Sequence, residues 1–507
     1  MPPPGKSALV QLAPKNGRCG GHLRPAKRAV AIWENVKMKP ESIRNAPEKY
    51  AIEAAIVRWV ETNLGAQVLE ISAFTRQRQT WRVDYTANGE HRSLLAKGSR
   101  PWSSIPFSLN WEMQANQVLR AEGATVPAVF GIMDEPNIFF MDWVDSDERP
   151  VGLLRQSTHG SAYTLPAERW ATQLKYMEEL AKIHAIPASA FQGTETVFPR
   201  SAQDVALALF NPFYTMVEEA GLVDARIEFL RIWLERNVPQ HRTHYGFVTG
   251  DGCQYLSRGT DIVAMIDFEI SYLGDPMQDL ACFRCRHPVE NLGDIYELYR
   301  HYARVTGQPI DVATLAYQTV VFQAIAWMGM VTAVNQSYRG GNALEEYGQV
   351  GFGYRRGFEA LAEIEGVTLE DLQRPVPFRM PYVDAIVSNL SLDVASLPLS
   401  DVYTEWQRQC LGAAPKLLSH FLALGHWYVA EGIREIEEIV GGRYEDHASA
   451  WTALKAFVQE AGPEHNERLI RFFHRDAQRE CWLAAGPDAP LDHLLFVKQD
   501  TIFDKGL

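Results

Sequence analysis

The amino-acid sequence predicts an α+β molecule of two lobes, one small and β-rich and one larger and helical, followed by a further helical block. Between residues 68 and 143 apolar residues alternate at strand spacing, whereas beyond about residue 165 they recur every three to four residues, as in amphipathic helices. One strand-like insert, at 247–268, interrupts the helices. At 507 residues, 46% of them hydrophobic, with 13 Trp, 19 Tyr and 23 Phe, the chain can fill about two to four compact units. Intrinsic disorder is excluded for most of it. With 49 Lys+Arg against 62 Asp+Glu, the net charge of −13 argues against a general nucleic-acid binder, which needs basic patches to displace counterions from phosphate.

Residues 1–40 read as a disordered leader. The first 28 hold six Lys or Arg, no acid and several Pro and Gly, and SALVQLAP is too short for a secretory core. A transit peptide, or translation from Met38, stays open. Residues 41–145 form the small lobe. Ala51, Ile52, Ala55, Ile56, Trp59 and Val60 mark a helix over 41–64 that Gly65 can end. Strands follow at 68–72, 80–85, 93–97, 129–132 and 138–143, with Asn88-Gly89 as a hairpin turn and a helix at 109–121.

Residues 146–370 form the helical lobe, with helices at 166–184, 202–220, 224–237, 294–306 and 312–335 around the insert. Pro375, Pro377 and Pro381 space a connector into a helical domain, 378–507, with helices at 402–424, 426–440, 448–461 and 465–485 and no recognisable chemical motif. This order suggests a protein-kinase-like two-lobe fold. No run reaches the roughly 18 to 20 uninterrupted apolar residues of a membrane span, so a soluble chain is expected. Six scattered cysteines suit a reducing cytoplasm, and Cys282 and Cys285 read as two thiols on one helix face rather than a zinc site.

Chemistry concentrates in residues 248–281, VTGDGCQYLSRGTDIVAMIDFEISYLGDPMQDLA. Asp251 and Asp267 stand at the two ends of a predicted hairpin that would bring them together. Phosphoryl transfer needs such a pair, one carboxylate to orient the attacking hydroxyl and one to hold the magnesium that bridges nucleotide phosphates. A glycosidase pair is the alternative reading.

TGDGCQYL, MIDFE and YLGDPMQDLA together resemble the catalytic and metal-binding region of the aminoglycoside phosphotransferase and choline kinase superfamily, and more narrowly the phosphotransferases associated with acyl-CoA dehydrogenases. The resemblance extends over about residues 45–365, through FTRQRQTWRVDY, GATVPAVFG, IFFMDWVDSD, LAKIHA and YELYRHYARVTGQPID. It implies Asp251 as catalytic base or orienting carboxylate and Asp267 as magnesium ligand, with Asp275 and Asp279 bracing the loop. It also implies Lys97 as the phosphate-neutralising lysine with Glu112 as its partner, and Met141 and Trp143 of the hinge bordering the nucleotide.

Three departures from the family pattern stand out. Thr249 replaces the usual His before Gly-Asp. The loop is two residues shorter, which leaves Gln254 where relatives have a metal-binding Asn. The nucleotide loop, Arg76-Gln77-Arg78-Gln79-Thr80, has no glycine. Arg76 and Arg78 either grip phosphate or stand on a hairpin tip. Lys97, if its register slips by one, points outward. His184 reads as a packed or capping histidine, and Cys253 as a residue open to thiol reagents.

The sequence thus implies an ATP- and Mg2+-dependent kinase of a small-molecule hydroxyl, on a hydroxyacyl or an aromatic or alicyclic alcohol, possible as a homodimer, with no nucleic-acid or membrane partner. A catalytically silent relative that binds a nucleotide or metabolite as scaffold or regulator is the alternative.

Overall fold

The structure is a computed structural model and describes residues 50–75, 78–99, 105–147, 165–287, 289–335, 343–398, 402–491 and 493–507. The leader, Met38 and Arg76 lie outside the described residues. Helix α1 (Ala51–Leu64) ends at Gly65 in the left-handed conformation (φ 57°). Strands β1 (Gln67–Thr75), β2 (Gln79–Ala87) and β3 (Glu90–Gly98) follow, then α2 (Leu109–Ala121), β4 (Val129–Met133) and β5 (Ile138–Asp142). The five strands make one antiparallel sheet in the order β1-β2-β3-β5-β4. At the β2–β3 turn Asn88 (φ 52°) and Gly89 (φ 79°) both take positive φ, the tight turn that the Asn-Gly pair announces. α1 covers one sheet face with Ile56, Val57 and Val60 against Ile71, Val83, Leu94 and Phe140. α2 covers the other with Leu109 and Met113 on Phe139 and Met141.

The helical lobe runs α3 (Ala167–His184), α4 (Ala202–Leu207), α5 (Phe210–Glu219) and α6 (Ala225–Arg236). The single helix expected over 202–220 is two, because Pro212 has no N–H to bond Ala208 and its ring crowds that carbonyl. Strands β6 (Gly246–Val248), β7 (Tyr255–Arg258), β8 (Asp261–Met265) and β9 (Tyr272–Gly274) form two two-stranded sheets, β6 with β9 and β7 with β8. Helices α7 (Met277–Arg286), α8 (Ile295–Thr306), α9 (Val312–Asn335) and α10 (Ala343–Glu365) complete the lobe. Within α9, Val312–Val331 is long and apolar enough to cross a membrane (mean hydropathy 1.2) despite its Thr and Gln, yet 82% of it is buried inside the molecule, as in a core helix.

After the connector come α11 (Pro381–Ala395), α12 (Val402–Val440), α13 (His447–Glu460) and α14 (Asn466–Ala485). α12 passes Pro415 and Gly425 unbroken, where a break was expected near residue 425. Burial of Leu424 and Ile436 overrides the local cost of those residues. One apolar core joins Phe213, Phe229 and Trp233 to Phe358 and on to Ile436, Leu454 and Phe473, so α13 and α14 share the core of the helical lobe.

Candidate active site

β6 and β7 hold between them the loop 249–254, and β8 leads out to Asp267. Tyr255 pairs with Met265, and the Ile266 N–H donates to the Gln254 carbonyl at 3.1 Å, so Asp251 and Asp267 leave the same end of one hairpin. The loop is pinned from below. Asp279, fully buried on α7, accepts from the Thr249 N–H (2.8 Å), the Thr249 hydroxyl (2.8 Å) and the Gly250 N–H (3.0 Å), and meets His184 Nε2 at 2.9 Å. His184 Nδ1 in turn meets the Tyr302 hydroxyl at 2.7 Å. Thr249 therefore fixes the loop in its own way, and the packed histidine forms part of the brace. Asp275 acts one step away, accepting from Arg242 Nε (2.8 Å) and Nη2 (2.7 Å) and from the Met277 N–H (3.0 Å). Gly250 has φ 81°, and a Cβ there would lie 2.3 Å from the Ile270 carbonyl oxygen.

Arg286 was not singled out in the sequence. Asp279, Cys282 and Arg286 lie on successive turns of one α7 face. Asp279 holds Thr249 and Gly250, Cys282 Sγ accepts from the Gly252 N–H at 3.2 Å, and Arg286 Nη2 is ion-paired with Asp251 Oδ1. Glu290, one turn on, braces Arg286 Nη1 at 2.7 Å. Burial opposes the charge of Arg286, but Asp251 and Glu290 beside it raise its pKa well above the ordinary value. The other Asp251 oxygen accepts from Gln254 Nε2 at 2.9 Å. Cys253 is wholly buried, its N–H donating to the Tyr176 hydroxyl at 2.9 Å, and burial pushes its thiol pKa far up. That removes the expectation of a reactive thiol.

The small lobe contributes a second charge cluster. β3 lies between β2 and β5, so Lys97 ends an interior strand, and alternation sends Ala96 to the core and Lys97 to the opposite face. Lys97 Nζ reaches Glu112 Oε1 (2.5 Å) and Asp267 Oδ1 (2.7 Å) at 6% residue exposure. Arg78 stands in the β1–β2 turn, yet its side chain is folded inward and not turned to solvent. It donates to the Gly98 carbonyl (2.6 Å), Glu112 Oε2 (2.8 Å) and Glu269 Oε2 (2.6 Å). Burial works against its charge, yet Glu112, Glu269 and Asp267 raise its pKa. Glu112 thus takes Lys97 on one oxygen and Arg78 on the other, and two ion pairs, Lys97–Asp267 and Arg78–Glu269, cross between the lobes. Asp267 itself holds φ 69°, a conformation that costs a non-glycine residue about 1–3 kcal/mol.

Strand alternation puts Phe74, Arg82, Lys97 and Met141 on one sheet face. Trp143 stacks on Phe74 at 5.8 Å between centroids, with the Arg82 guanidinium 4.8 Å from its ring. Met141 is buried under α2. Phe74 joins Trp143 as an aromatic wall that the sequence did not flag, whereas Met141 is taken up by the packing under α2.

Asp267 offers a carboxylate and Gln254 an amide oxygen, on the side of its amide away from Asp251. These hard oxygen donors suit magnesium. Bound there, the ion would neutralise charge on nucleotide phosphates.

No family model matches the chain, and no curated protein matches it. Solved structures with a similar fold include a choline kinase, LicA, from Streptococcus pneumoniae, at 15% identity and TM-score 0.44, covering 62% of this chain and 99% of that one. A thermostable mutant of aminoglycoside phosphotransferase APH(4)-Ia in complex with ADP and hygromycin B matches at 14% identity and TM-score 0.39, over 58% of this chain and 96% of that one. Macrolide 2'-phosphotransferase MphH from Brachybacterium faecium matches at 17% identity and TM-score 0.39, over 55% and 91%. At scores this low the likeness carries no argument about activity, and the site itself must supply it.

Proposed function

We propose that the chain is a cytoplasmic phosphotransferase that moves a phosphoryl group from Mg-ATP to the hydroxyl of a small molecule. The carrying observation is the Lys97–Asp267 contact at 2.7 Å, which sets a buried phosphate-type lysine and a metal-type carboxylate against each other, with Asp251 at the same hairpin end. In this reading Lys97 neutralises nucleotide phosphates, Asp267 and Gln254 hold the metal, and Asp251 orients the acceptor hydroxyl. Arg286 fixes Asp251 in direction. A carboxylate so held suits a transfer in which positioning of the acceptor matters more than early proton removal. Phe74 and Trp143 form the wall for the nucleotide base. The acceptor is a hydroxylated acyl or an aromatic or alicyclic alcohol, as the sequence resemblance implies.

A second reading has one observation in its favour: both Asp251 oxygens are engaged, by Arg286 and by Gln254. On that reading the chain binds a nucleotide or metabolite without turnover. ADP release measured with Mg-ATP and a panel of alcohols, phenols, hydroxyacyl thioesters and aminoglycosides, beside Asp267→Ala, separates the two. Release tied to one class and lost in the variant is expected. Thermal protection by Mg-ATP without release across the panel favours the silent binder.

A further inference from the structure

The hairpin of α11 and the 410–423 stretch of α12 is poorly covered. α11 has fifteen residues and none is buried. It packs antiparallel on α12, with Val383, Val387, Ser391 and Val394 half-buried along the seam. Beside that seam Tyr382, Ile386 and Leu390, one helical turn apart, are 87%, 64% and 43% exposed. On α12, Leu411, Leu418 and Leu422, at spacings of seven and four, are 58%, 64% and 51% exposed. Monomers ordinarily leave apolar patches of only about 300–600 Å². Six large apolar side chains on two adjacent helices exceed scattered surface residues and approach the roughly 800 Å² that each partner hides in a stable complex.

Charge names the occupant. Residues 381–398 contain Asp384 and Asp393 and no Lys or Arg, whereas residues 408–423 contain Arg408 and Lys416 and no Asp or Glu. A two-fold axis that lays α11 of one copy along α12 of another sets the acidic stretch against the basic one twice, which makes the surface self-complementary. An anionic membrane would instead want lysines and arginines on α11. We propose that the α11–α12 hairpin is the pairing surface of a homodimer, two hairpins closing into a four-helix bundle that buries both apolar stripes.

Sedimentation equilibrium of the full chain tests this without reference to catalysis. The chain is expected to run as a dimer at micromolar concentration. Ile386→Glu with Leu418→Glu, both exposed in the protomer, should raise the dissociation constant by at least about 30-fold and leave the circular-dichroism spectrum unchanged. Asp384→Lys should weaken pairing, and adding Lys416→Asp should restore it. A chain that stays monomeric into high micromolar concentration overturns the proposal. So does a dimer indifferent to the double glutamate variant, or a monomer that co-sediments with phosphatidylserine vesicles.

Discussion

Asp251 sits under one cation and one amide, and its surroundings set what each substitution should do. Asp251→Asn is expected to lower turnover by about 10²–10⁴-fold, with nucleotide protection of the fold retained; undiminished ADP release would end the kinase reading. Arg286→Gln removes the cation that fixes Asp251 in direction, so turnover should fall with nucleotide protection of the fold retained, and Arg286→Lys should lose less. His287 gives a pH prediction independent of activity. Burial lowers its pKa from 6.5 to about 4, so the folded state disfavours its protonation. The associated stability is full above pH 6.5 and lost as pH falls toward about 4, by at most about 3 kcal/mol. Urea midpoints followed over that window should fall in the native chain and fall less in His287→Gln. The acids of this site were legible because GDG, IDFE and GDP stand at telling spacings. Arg286 was not, since an arginine after a CxxC announces no partner 35 residues back until the helix face that carries it is known.

Among the elements, strands β1 to β8 and the Asn-Gly turn followed from alternation and turn chemistry, whereas the bounds of three helices, α7, α10 and α11, did not. α7 is hidden under its own motif residues, and α10 under its glycines. Those glycines serve packing: a Cβ at Gly351 would meet Glu480 Cβ at 2.9 Å and the Cys481 nitrogen at 3.1 Å. Gly351→Leu should therefore drive α10 from α14 and destabilise the protein by about 1–3 kcal/mol, read from the urea midpoint. The glycine-free loop shows a similar exchange. Arg78 ties β2 to Gly98, Glu112 and Glu269 through its side chain. Glu112→Gln leaves Lys97 and Arg78 short of a carboxylate and should cost about 3–5 kcal/mol, against little change for a surface acid such as Glu90.

At the scale of the whole molecule, the two lobes and the connector near residue 375 were readable from the change of period, but the sharing of a core across that connector was not, because apolar periodicity does not say which faces meet. A chain cut after residue 370 would lose the α13 and α14 side of the core around Phe229, Phe358 and Phe473. It is expected to lack a cooperative melt and to bind an apolar dye, whereas a normal transition would mean the helical lobe closes without them. The two ion pairs that span the lobes carry a different consequence. Lys97 is already occupied by Asp267, so on the proposed function a nucleotide does not settle into a waiting groove but displaces a resident: carboxylate leaves, phosphate takes its place. Exchange of that kind has a ceiling. The observed rate of ATP association should level off with concentration at the rate at which the lysine lets its first partner go.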